Sequence, residues 1–426
     1  MASLRDAFKS KIANLREDVD RLVAEHGDKV IGESTVAQAY GGMRGLKCMV
    51  CDTSIVSPEK GLILRGRPLS ELTHLSPEQT FFLLLTGDEP DEAQSKDLQT
   101  ELAARSDVPG YVFDTIKAQP TSSHPMAVLT MAILALEDKS KFRARYNDGM
   151  TKNEYWEPAL EDSLDLIAKM PTIAAAVYRT RYELGDLIDR DPNLDWSANL
   201  THMMGVPDTT GTLGDLTRLY LMIHADHEGG NVSANLCHTS GSALSDPYYS
   251  VAAGLCGLAG PLHGLANQEC LRFHLGIMER FGKLPTKDEL HDYAWEVLKS
   301  GRVIPGFGHA VLRDTDPRYT ALHDFAMKAC PDAELFKLAD LMYEVVPGVL
   351  TEHGKAKNVN PNVDALSGVL LYQYGVTQPR FYTAIFGVSR ALGMLAQLVI
   401  NRAMRTPITR PKSVSTAWIK NQVGAK

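Results

Sequence analysis

Residues 257–269 place one histidine, His263, between a Gly-Pro pair and a further glycine. Glycine and proline end helices, so an apolar helix from about residue 247 is predicted to stop here, and a second helix is predicted over residues 262–281. His263 would then lie at a helix N-terminus, where the helix dipole disfavours protonation of the imidazole. A neutral imidazole can donate a hydrogen bond to a developing enolate oxygen, although most histidines at helix starts only cap or pack.

Two more histidines, His224 and His227, lie three residues apart and flank Asp226. A metal site would need at least a third ligand at defined geometry, and this spacing is not that of the HExxH type. The alternative is a hydrogen-bonding network, and the following Gly229 and Gly230 would let the backbone approach a ligand closely. The residues alone leave both alternatives open.

His309 and Asp364 are the remaining candidates for chemistry. His309 follows Pro-Gly-Phe-Gly, which is too rich in glycine to continue a helix, so a loop is predicted, and a turn histidine commonly has no chemical role. Asp364 lies at the start of a helix predicted over residues 362–374. An aspartate there more often caps the helix or charges its first turn than acts as a base.

Arg318, Arg390 and Arg410 are scattered along the sequence, and each alone would be interpreted as a solvated surface charge. Arg390 is different because its predicted helix, residues 380–404, is otherwise apolar. An unpaired charge buried there would be costly, so Arg390 is predicted to pair with a ligand or with an acidic side chain. Arginine also suits a small dicarboxylate, because the guanidinium group can bind a carboxylate through two hydrogen bonds.

These stretches resemble the citrate synthase family, in its eukaryotic-type, dimeric branch. The resemblance is carried by HEGGNVSA (227–234), GLAGPLHGLANQE (257–269), LRDTDPRY (312–319), PNVDA (361–365) and FGVSRALG (386–393), and it extends from about residue 11 to the C-terminal tail. It implies an all-α, two-domain fold and the condensation of acetyl-CoA with oxaloacetate, followed by hydrolysis of citryl-CoA to citrate and CoA. That reaction is the first committed step of the tricarboxylic acid cycle, and the family uses no metal or other cofactor.

The resemblance also implies a role for each matching residue. Asp364 would be the general base that removes a methyl proton from acetyl-CoA, His263 would stabilise the enolate, and His309 would polarise the ketone carbonyl of oxaloacetate. The residues expected to bind oxaloacetate or citrate are His227, Arg318, Arg390 and Arg410. The residues expected to bind coenzyme A are Arg44, Arg179, Gly306, Gly308, Ala310, Arg313, Lys357 and Asn362.

Some positions depart from the family pattern, among them Phe307 where tyrosine is usual and Leu366 where histidine is usual. They put the acyl group in doubt, since one methylene is worth only about 1–3 kcal/mol in an apolar pocket. The nearest rival is therefore a 2-methylcitrate synthase, which would use propionyl-CoA with the same residues. A rival from another class is a non-catalytic, metal-binding helical protein centred on His224, Asp226 and His227.

Composition limits the partners and the compartment. The chain is 44% hydrophobic with a net charge of −8, which is ordinary for a globular enzyme and argues against binding to nucleic acid or to an anionic membrane. No apolar run reaches the roughly 18 residues that a membrane span needs. The first 25 residues carry acidic residues among apolar residues at helical spacing, unlike a transit peptide. A cytoplasmic location is expected, with the mitochondrial matrix as the alternative for a processed form.

The elements predicted between these motifs are almost all helices. Exceptions are a less regular region before residue 69 and a small hairpin within residues 55–64. Separate helices are predicted over residues 152–169 and 172–184, and another over residues 332–346. The resemblance implies a large helical domain from residues 1–264 and 376–426, with a tail that reaches the partner subunit of a homodimer. It also implies a smaller domain, residues 265–375, that closes over the active site.

Overall fold

A computed structural model describes residues 3–309 and 311–425. Among these residues are nineteen α-helices, so the expected all-α fold is confirmed. In chain order they are α1 Leu4–His26, α2 Val36–Tyr40, α3 Pro77–Thr86, α4 Glu92–Ala104, α5 Gly110–Lys117, α6 Pro125–Ala135, α7 Lys141–Asn147, α8 Trp156–Arg181, α9 Trp196–Met204, α10 Thr212–Ile223, α11 Val232–Ser242, α12 Pro247–Leu258, α13 Ala266–Phe281, α14 Lys287–Lys299, α15 Pro317–Ala329, α16 Glu334–His353, α17 Asp364–Gln373, α18 Tyr382–Ala403 and α19 Thr416–Val423.

The predicted hairpin is present as part of a small antiparallel sheet. Its strands are β1 Ser54–Ser57, β2 Gly61–Leu64 and β3 Arg67–Pro68, in the order β1-β2-β3. The register pairs Ser54 with Leu64. The apolar side chains of β2 are mostly buried, so the sheet packs on the helical body rather than standing free.

Helix α8 corrects the prediction of two separate helices. Pro171 lies inside it and has no N–H, so the Ile167 carbonyl loses its partner four residues later. The indole N–H of Trp196 donates to that carbonyl at 2.9 Å, which satisfies it from outside the helix. Helix α16 similarly continues through Pro347 to His353, beyond the predicted end at residue 346.

Helix α18 runs through the centre of the molecule and is buried along nearly its whole length. The segment Pro379–Ala403 is long and apolar enough to cross a membrane by length and composition, contrary to the expectation from the sequence. However, 89% of its most apolar window is buried inside the protein, as in the core helix of a soluble protein.

Buried apolar side chains form one large cluster and one smaller cluster. The smaller cluster contains Ile277, Leu290, Leu338, Val346 and related residues of α13, α14 and α16. It lies within the range 265–375 that is expected to form the small domain. Other parts of that range, including α15 and α17, pack into the large cluster.

Candidate active site

Arg390 is a buried charge in the cleft, with 2% of its surface exposed. Its Nε donates to the His224 carbonyl at 3.2 Å and its Nη1 donates to Asn231 Oδ1 at 3.1 Å. Its guanidinium carbon lies 4.7 Å from the centre of the Phe386 ring. Within the described residues Arg390 has no ion pair with a carboxylate, and burial lowers its pKa to about 10. A buried cation without a counter-ion is a receptor for an anionic ligand.

Arg318 faces the same cleft from the start of α15. Its Nε and Nη2 donate to the two oxygens of Asp316 at 3.0 and 2.7 Å, and both residues are buried. This bidentate pair fixes the plane of the guanidinium group. The charge of Arg318 acts on His227, His309 and Asp364, which places it among the predicted catalytic and substrate-binding residues.

His227 has a buried Nε2 that finds no hydrogen-bond partner among the described residues. Burial lowers the pKa of its imidazole well below the usual value, and the charges of Arg318 and Arg390 lower it further, so the ring is neutral. The centres of the His227 and His309 rings are 5.9 Å apart. A buried polar atom without a partner is uncommon, and in a cleft it indicates a contact reserved for a ligand.

His309 has a defined tautomer. Its Nδ1 accepts hydrogen bonds from the backbone N–H groups of Val311 and Leu312 at 3.0 and 2.9 Å. The proton of the neutral ring therefore lies on Nε2, which can donate to a carbonyl oxygen. Burial lowers the pKa of His309, followed by the field of Arg318, so the neutral form is favoured.

His263 is neutral for a reason that differs from the prediction. Helix α13 begins at Ala266, so His263 lies in the preceding turn and not at the helix start. Its Nε2 instead accepts the backbone N–H of Ser233 at 3.3 Å, in the first turn of α11, with the Ser233 hydroxyl at 3.0 Å. Burial and the charge of Arg390 lower the pKa of His263 to about 4. The ring proton is therefore on Nδ1, available as a donor.

Asp364 is the first residue of α17, and its carboxylate does not cap the helix. No hydrogen bond to that carboxylate is formed by the described residues. Burial raises its pKa to about 6; Arg318 opposes the shift and Asp316 adds to it. A carboxylate with a raised pKa and free oxygen atoms has the properties of a general base.

Backbone hydrogen bonds join the loop that carries His309 to the loop that precedes Asp364. The Gly308 N–H donates to the Asn360 carbonyl at 2.9 Å, and the Asn362 N–H donates to the Gly306 carbonyl at 2.8 Å. Gly306 has a φ of +83°, and a Cβ there would lie 2.8 Å from the Ala365 Cα. Only glycine fits this close approach. Ala310, another predicted coenzyme contact, lies outside the described residues.

A cavity of about 620 Å³ opens beside His309. Its wall includes Gly308, Phe307 and Lys357, and two basic residues that the sequence reasoning missed, Arg302 and Lys355. Apolar and basic side chains together suit a ligand that carries phosphates and a thioester. The pair Lys355 and Lys357 in the loop after α16 was the available sequence signal.

The geometry of His224, Asp226 and His227 does not support the hypothesis of a metal site. His224 Nδ1 bonds to the Tyr220 carbonyl at 2.8 Å, and burial lowers the pKa of its ring to about 3. Asp226 is held by hydroxyl and amide donors instead. Among residues 3–309 and 311–425 no group of three potential ligands is placed to hold a metal ion.

Comparison with known proteins identifies the family. The family model described as "Citrate synthase, C-terminal domain" matches residues 42–412. The mitochondrial citrate synthase of Emericella nidulans is 50% identical over 434 residues, covering 100% of this chain and 91% of the relative. The chain belongs to the citrate synthase family. It is an acyltransferase, of the class that converts the acyl group into an alkyl group on transfer.

Two further similarities bear on fold and substrate. The citrate synthase structure from Pyrobaculum aerophilum has a TM-score of 0.78 at 28% identity and covers 88% of this chain and 92% of that chain. The 2-methylcitrate synthase, mitochondrial, of Yarrowia lipolytica is 48% identical over 439 residues, covering 100% of this chain and 94% of the relative. The Emericella citrate synthase and the Yarrowia 2-methylcitrate synthase are thus about equally similar to the chain.

Three of the coenzyme contacts that the citrate synthase resemblance implies do not line the 620 Å³ cavity beside His309. Arg179 donates through its guanidinium nitrogens to the carbonyls of Leu184, Asp186 and Met204, so it ties the end of α8 to the end of α9. These contacts give Arg179 a structural role within one chain, and its contact with coenzyme A stays a prediction. Arg44 is exposed in the turn after α2, and Arg313 is exposed with its Nη1 on neighbouring carbonyls.

The sequence reasoning also missed two polar residues of the citrate synthase site. Asn231 holds Arg390, and Ser233 holds His263, both at the start of α11. Asn231 is the N-cap of that helix, so the sequence alone would have predicted only a capping role for it. Which side chains lie opposite it in the fold is information that local sequence does not contain.

Proposed function

We propose that the chain condenses acetyl-CoA with oxaloacetate and hydrolyses the resulting citryl-CoA to citrate and CoA. The carrying observation is the buried Arg390 without a counter-ion, next to the unpartnered Nε2 of His227. Together with Arg318 these groups suit the carboxylates and the 2-oxo region of a small dicarboxylate. The adjacent Asp364 has the raised pKa of a base.

The chain's own side chains supply each proton contact of this reaction. Asp364 removes a proton from the acetyl methyl group, and His263 Nδ1–H donates to the thioester oxygen as the enolate forms. His309 Nε2–H donates to the ketone oxygen of oxaloacetate, where charge develops as the new carbon–carbon bond forms. Proton abstraction and enolate stabilisation are each worth on the order of 10²–10⁴-fold in rate. Water then releases citrate and CoA from citryl-CoA.

For the coenzyme, we propose contacts to Gly306, Gly308, Lys357 and Asn362. Gly308 and Lys357 line the 620 Å³ cavity. Asn362 Nδ2 donates to the Gly308 carbonyl at 2.8 Å, which shapes the wall next to His309. Lys357 would meet a phosphate as a point charge.

The second candidate is a 2-methylcitrate synthase, which the Yarrowia relative favours. Phe307 and Leu366 are apolar, and Leu366 is fully buried two residues after Asp364. An extra methyl group on the acyl chain would require room against such side chains. Discrimination by one methylene is at most about 1–3 kcal/mol, so activity with both acyl-CoAs is compatible with the site and their ratio decides.

The test is thiol release from acetyl-CoA and from propionyl-CoA with oxaloacetate, in the presence of EDTA. We expect faster release with acetyl-CoA and none without oxaloacetate. Faster release with propionyl-CoA would establish the 2-methylcitrate activity instead. Release from neither, with a protein shown to be folded by circular dichroism, would overturn the proposed function.

We also propose a homodimer in which Arg410 serves the partner's active site. About half of the large exposed apolar side chains lie within residues 19–55 and in the tail, residues 408–423. Among them Val30 is 78% exposed and Ile31 is 73% exposed. The tail passes the far end of α11, where the Thr409 N–H donates to Ser242 Oγ at 2.9 Å. The site lies at the other end of this helix, about 16 Å away at 1.5 Å per residue. Arg410 is therefore remote from its own cleft.

Mixing two inactive variants tests this sharing. In a mixed dimer of Asp364→Asn and Arg410→Ala, one site keeps its own Asp364 and borrows an intact Arg410, so activity should return after subunit exchange. The other site carries both defects, because a two-fold dimer makes the exchange reciprocal. A mixture that stays as inactive as its components would assign Arg410 to its own chain.

Closure of a small domain, residues 265–375, is a further part of the proposal. Oxaloacetate would contact His227 and Arg390 on one side and His309 and Arg318 on the other, so it would favour the closed state by differential affinity. Oxaloacetate should therefore bind first and make the protein more compact in X-ray scattering. Unchanged scattering with saturating oxaloacetate would contradict closure.

We propose the mitochondrial matrix as the location, rather than the cytoplasm. The relatives from Emericella and Yarrowia are both described as mitochondrial. Neither relative supports the cytoplasmic expectation, which came from the acidic residues among the first 25. Fractionation of source cells, with the chain detected by an antibody, would test the location. Recovery of the chain in the cytosolic fraction would contradict it.

A further inference from the structure

Asp226 precedes His227 in the chain and is buried, with 1% of its surface exposed. Its Oδ2 accepts hydrogen bonds from the hydroxyls of Thr53 and Ser54, the latter at 2.8 Å. Its Oδ1 accepts from Gln397 Nε2 at 3.1 Å and from the His227 N–H at 3.0 Å. Four donors from three separate parts of the chain therefore meet on one carboxylate.

The same cluster fixes the backbone on both sides of His227. Ser54 Oγ also accepts the Glu228 N–H at 2.6 Å. Glu228 has a φ of +56°, a left-handed conformation that a non-glycine residue adopts only when its surroundings hold it. A Cβ on Gly229 would lie 2.6 Å from Met49 Sδ, so the segment before β1 covers the loop closely.

Asn231 completes the restraint from the other direction. Its Nδ2 donates to the carbonyls of His227 and Glu228 at 3.0 and 2.9 Å, while its Oδ1 accepts from Arg390. The peptide groups around His227 are thus held by hydrogen bonds, and the imidazole Nε2 is left without a partner among the residues that the structure describes.

The charge of Asp226 also matters at the cleft. Its field acts on Arg390, yet the two side chains form no ion pair. Burial raises the pKa of Asp226, and the bonds from Thr53 and Ser54 oppose that rise. Asp226 therefore acts on Arg390 through its field without occupying the guanidinium nitrogens that a ligand would use.

We infer that Asp226 is a positioning residue for the 2-oxodicarboxylate substrate, acting through His227 together with Thr53, Ser54 and Gln397. This inference rests on the proposed function. A positioning role makes a different prediction from a purely structural one. Loss of Asp226 should weaken binding of the dicarboxylate, whereas His309 and Asp364 should still perform the chemistry on bound substrate.

The principal experiment compares Asp226→Asn with Asp162→Asn. Asp162 is a matched control: it is fully buried and accepts from Ser140 Oγ at 2.8 Å and from the backbone N–H groups of Lys141 and Phe142 at 2.8 and 3.0 Å. None of these residues belongs to the active site.

Asp226→Asn should raise KM for oxaloacetate by on the order of 10- to 100-fold, as expected for loss of a charge-assisted contact. The kcat and the KM for acetyl-CoA should change by less than about threefold, because the lost interaction is made equally before and during the reaction. Asp162→Asn should lower Tm with KM unchanged. If Asp226→Asn lowers Tm and leaves KM for oxaloacetate unchanged, the carboxylate is only structural and the inference is wrong.

Milder variants keep the test decisive if Asp226→Asn does not fold. Thr53→Val and Ser54→Ala each remove one donor, and Ser140→Ala is the matched control for the serine. Each of the first two should raise KM for oxaloacetate several-fold, and Ser140→Ala should not. Equal behaviour of Ser54→Ala and Ser140→Ala would overturn the inference.

Direct calorimetric binding of oxaloacetate to the wild-type chain separates this inference from the proposed function. A wild-type protein that neither binds oxaloacetate nor releases thiol would overturn the function and the inference together. A wild-type protein that does both, with an Asp226→Asn affinity equal to its own, would overturn the inference alone.

Discussion

One wall of the cleft consists of side chains on helices, and the opposite wall consists of backbone turns that contain glycine. Arg390 extends from the central helix α18, and its partners are fixed groups at the ends of α10 and α11. His309 instead follows a loop in which Gly306 and Gly308 have φ values of +83° and +90°. Asp364 faces the same loop. The helical wall carries the buried Arg390, and the loop wall carries two groups proposed to act on the reacting atoms.

The difference between the walls shows how one fold separates affinity from chemistry. Side chains on packed helices keep their positions whether or not a ligand is present. Loops joined by a few backbone hydrogen bonds have lower local stability and can adjust as substrate arrives. Changes in the helical wall should therefore affect mainly KM for the dicarboxylate, and changes in the loop wall should affect mainly kcat.

Asp364→Asn should give the largest effect, a fall in kcat of about 10³-fold, because it removes the proposed base from the loop wall. Oxaloacetate binding, measured by calorimetry, should stay within about threefold, since the helical wall is intact. Near-normal turnover in this variant would remove Asp364 from the mechanism and break the division between the walls.

Gly306→Ala should be next, with kcat reduced on the order of 10- to 100-fold by displacement of the loops. The added Cβ would lie 2.7 Å from Cys270 Sγ and 2.8 Å from the Ala365 Cα, in a left-handed conformation. Gly276→Ala is the matched control, because nothing lies within 4 Å of its Cβ position. The contrast between the walls is wrong if both alanines leave kcat unchanged, or if Gly306→Ala changes only oxaloacetate binding.

The pH profile sharpens the contrast further. The active form of Asp364 is the carboxylate, and its pKa is about 6, so kcat/KM should fall roughly tenfold per pH unit below pH 6. His263, with a pKa of about 4, stays neutral in this range and should not contribute. A profile that stays flat from pH 7 to pH 5 would contradict the raised pKa.

The smallest effect concerns stability. Because burial raises the folded-state pKa of Asp364 from 3.8 to about 6, the ionised carboxylate destabilises the fold above pH 6. This destabilisation is absent below about pH 4, grows between pH 4 and 6, and is complete above pH 6. Asp364→Asn should therefore raise the free energy of unfolding by about 3 kcal/mol at pH 8. An equal gain at pH 4 would point to a cause other than ionisation.

Much of this arrangement was predictable because local chemistry determines it. Ser76, Pro77 and Gly87 fix the ends of α3, since capping and left-handed glycine act within a few residues. Arg390 was predicted to need a partner from its apolar surroundings alone.

Other features depended on contacts between distant residues, and the sequence patterns did not contain them. The continuation of α8 past Pro171 needs Trp196, which lies 25 positions further along the sequence. His263 accepts a hydrogen bond from the first turn of α11 and does not lie at the N-terminus of the helix that follows it. Arg179 caps carbonyls in the folded chain, which a basic side chain in a sequence motif does not reveal.

The missing counter-ion of Arg390 has a consequence for the lifetime of the protein in a cell. A ligand that binds only the folded state stabilises it by RT ln(1 + [L]/Kd), about 2.7 kcal/mol at a hundred times Kd. Proteases that capture the unfolded fraction would then degrade the empty protein sooner than the occupied one. We expect the half-life of the chain in a pulse-chase measurement to lengthen when its dicarboxylate is abundant, so that supply of substrate sets how much catalyst persists.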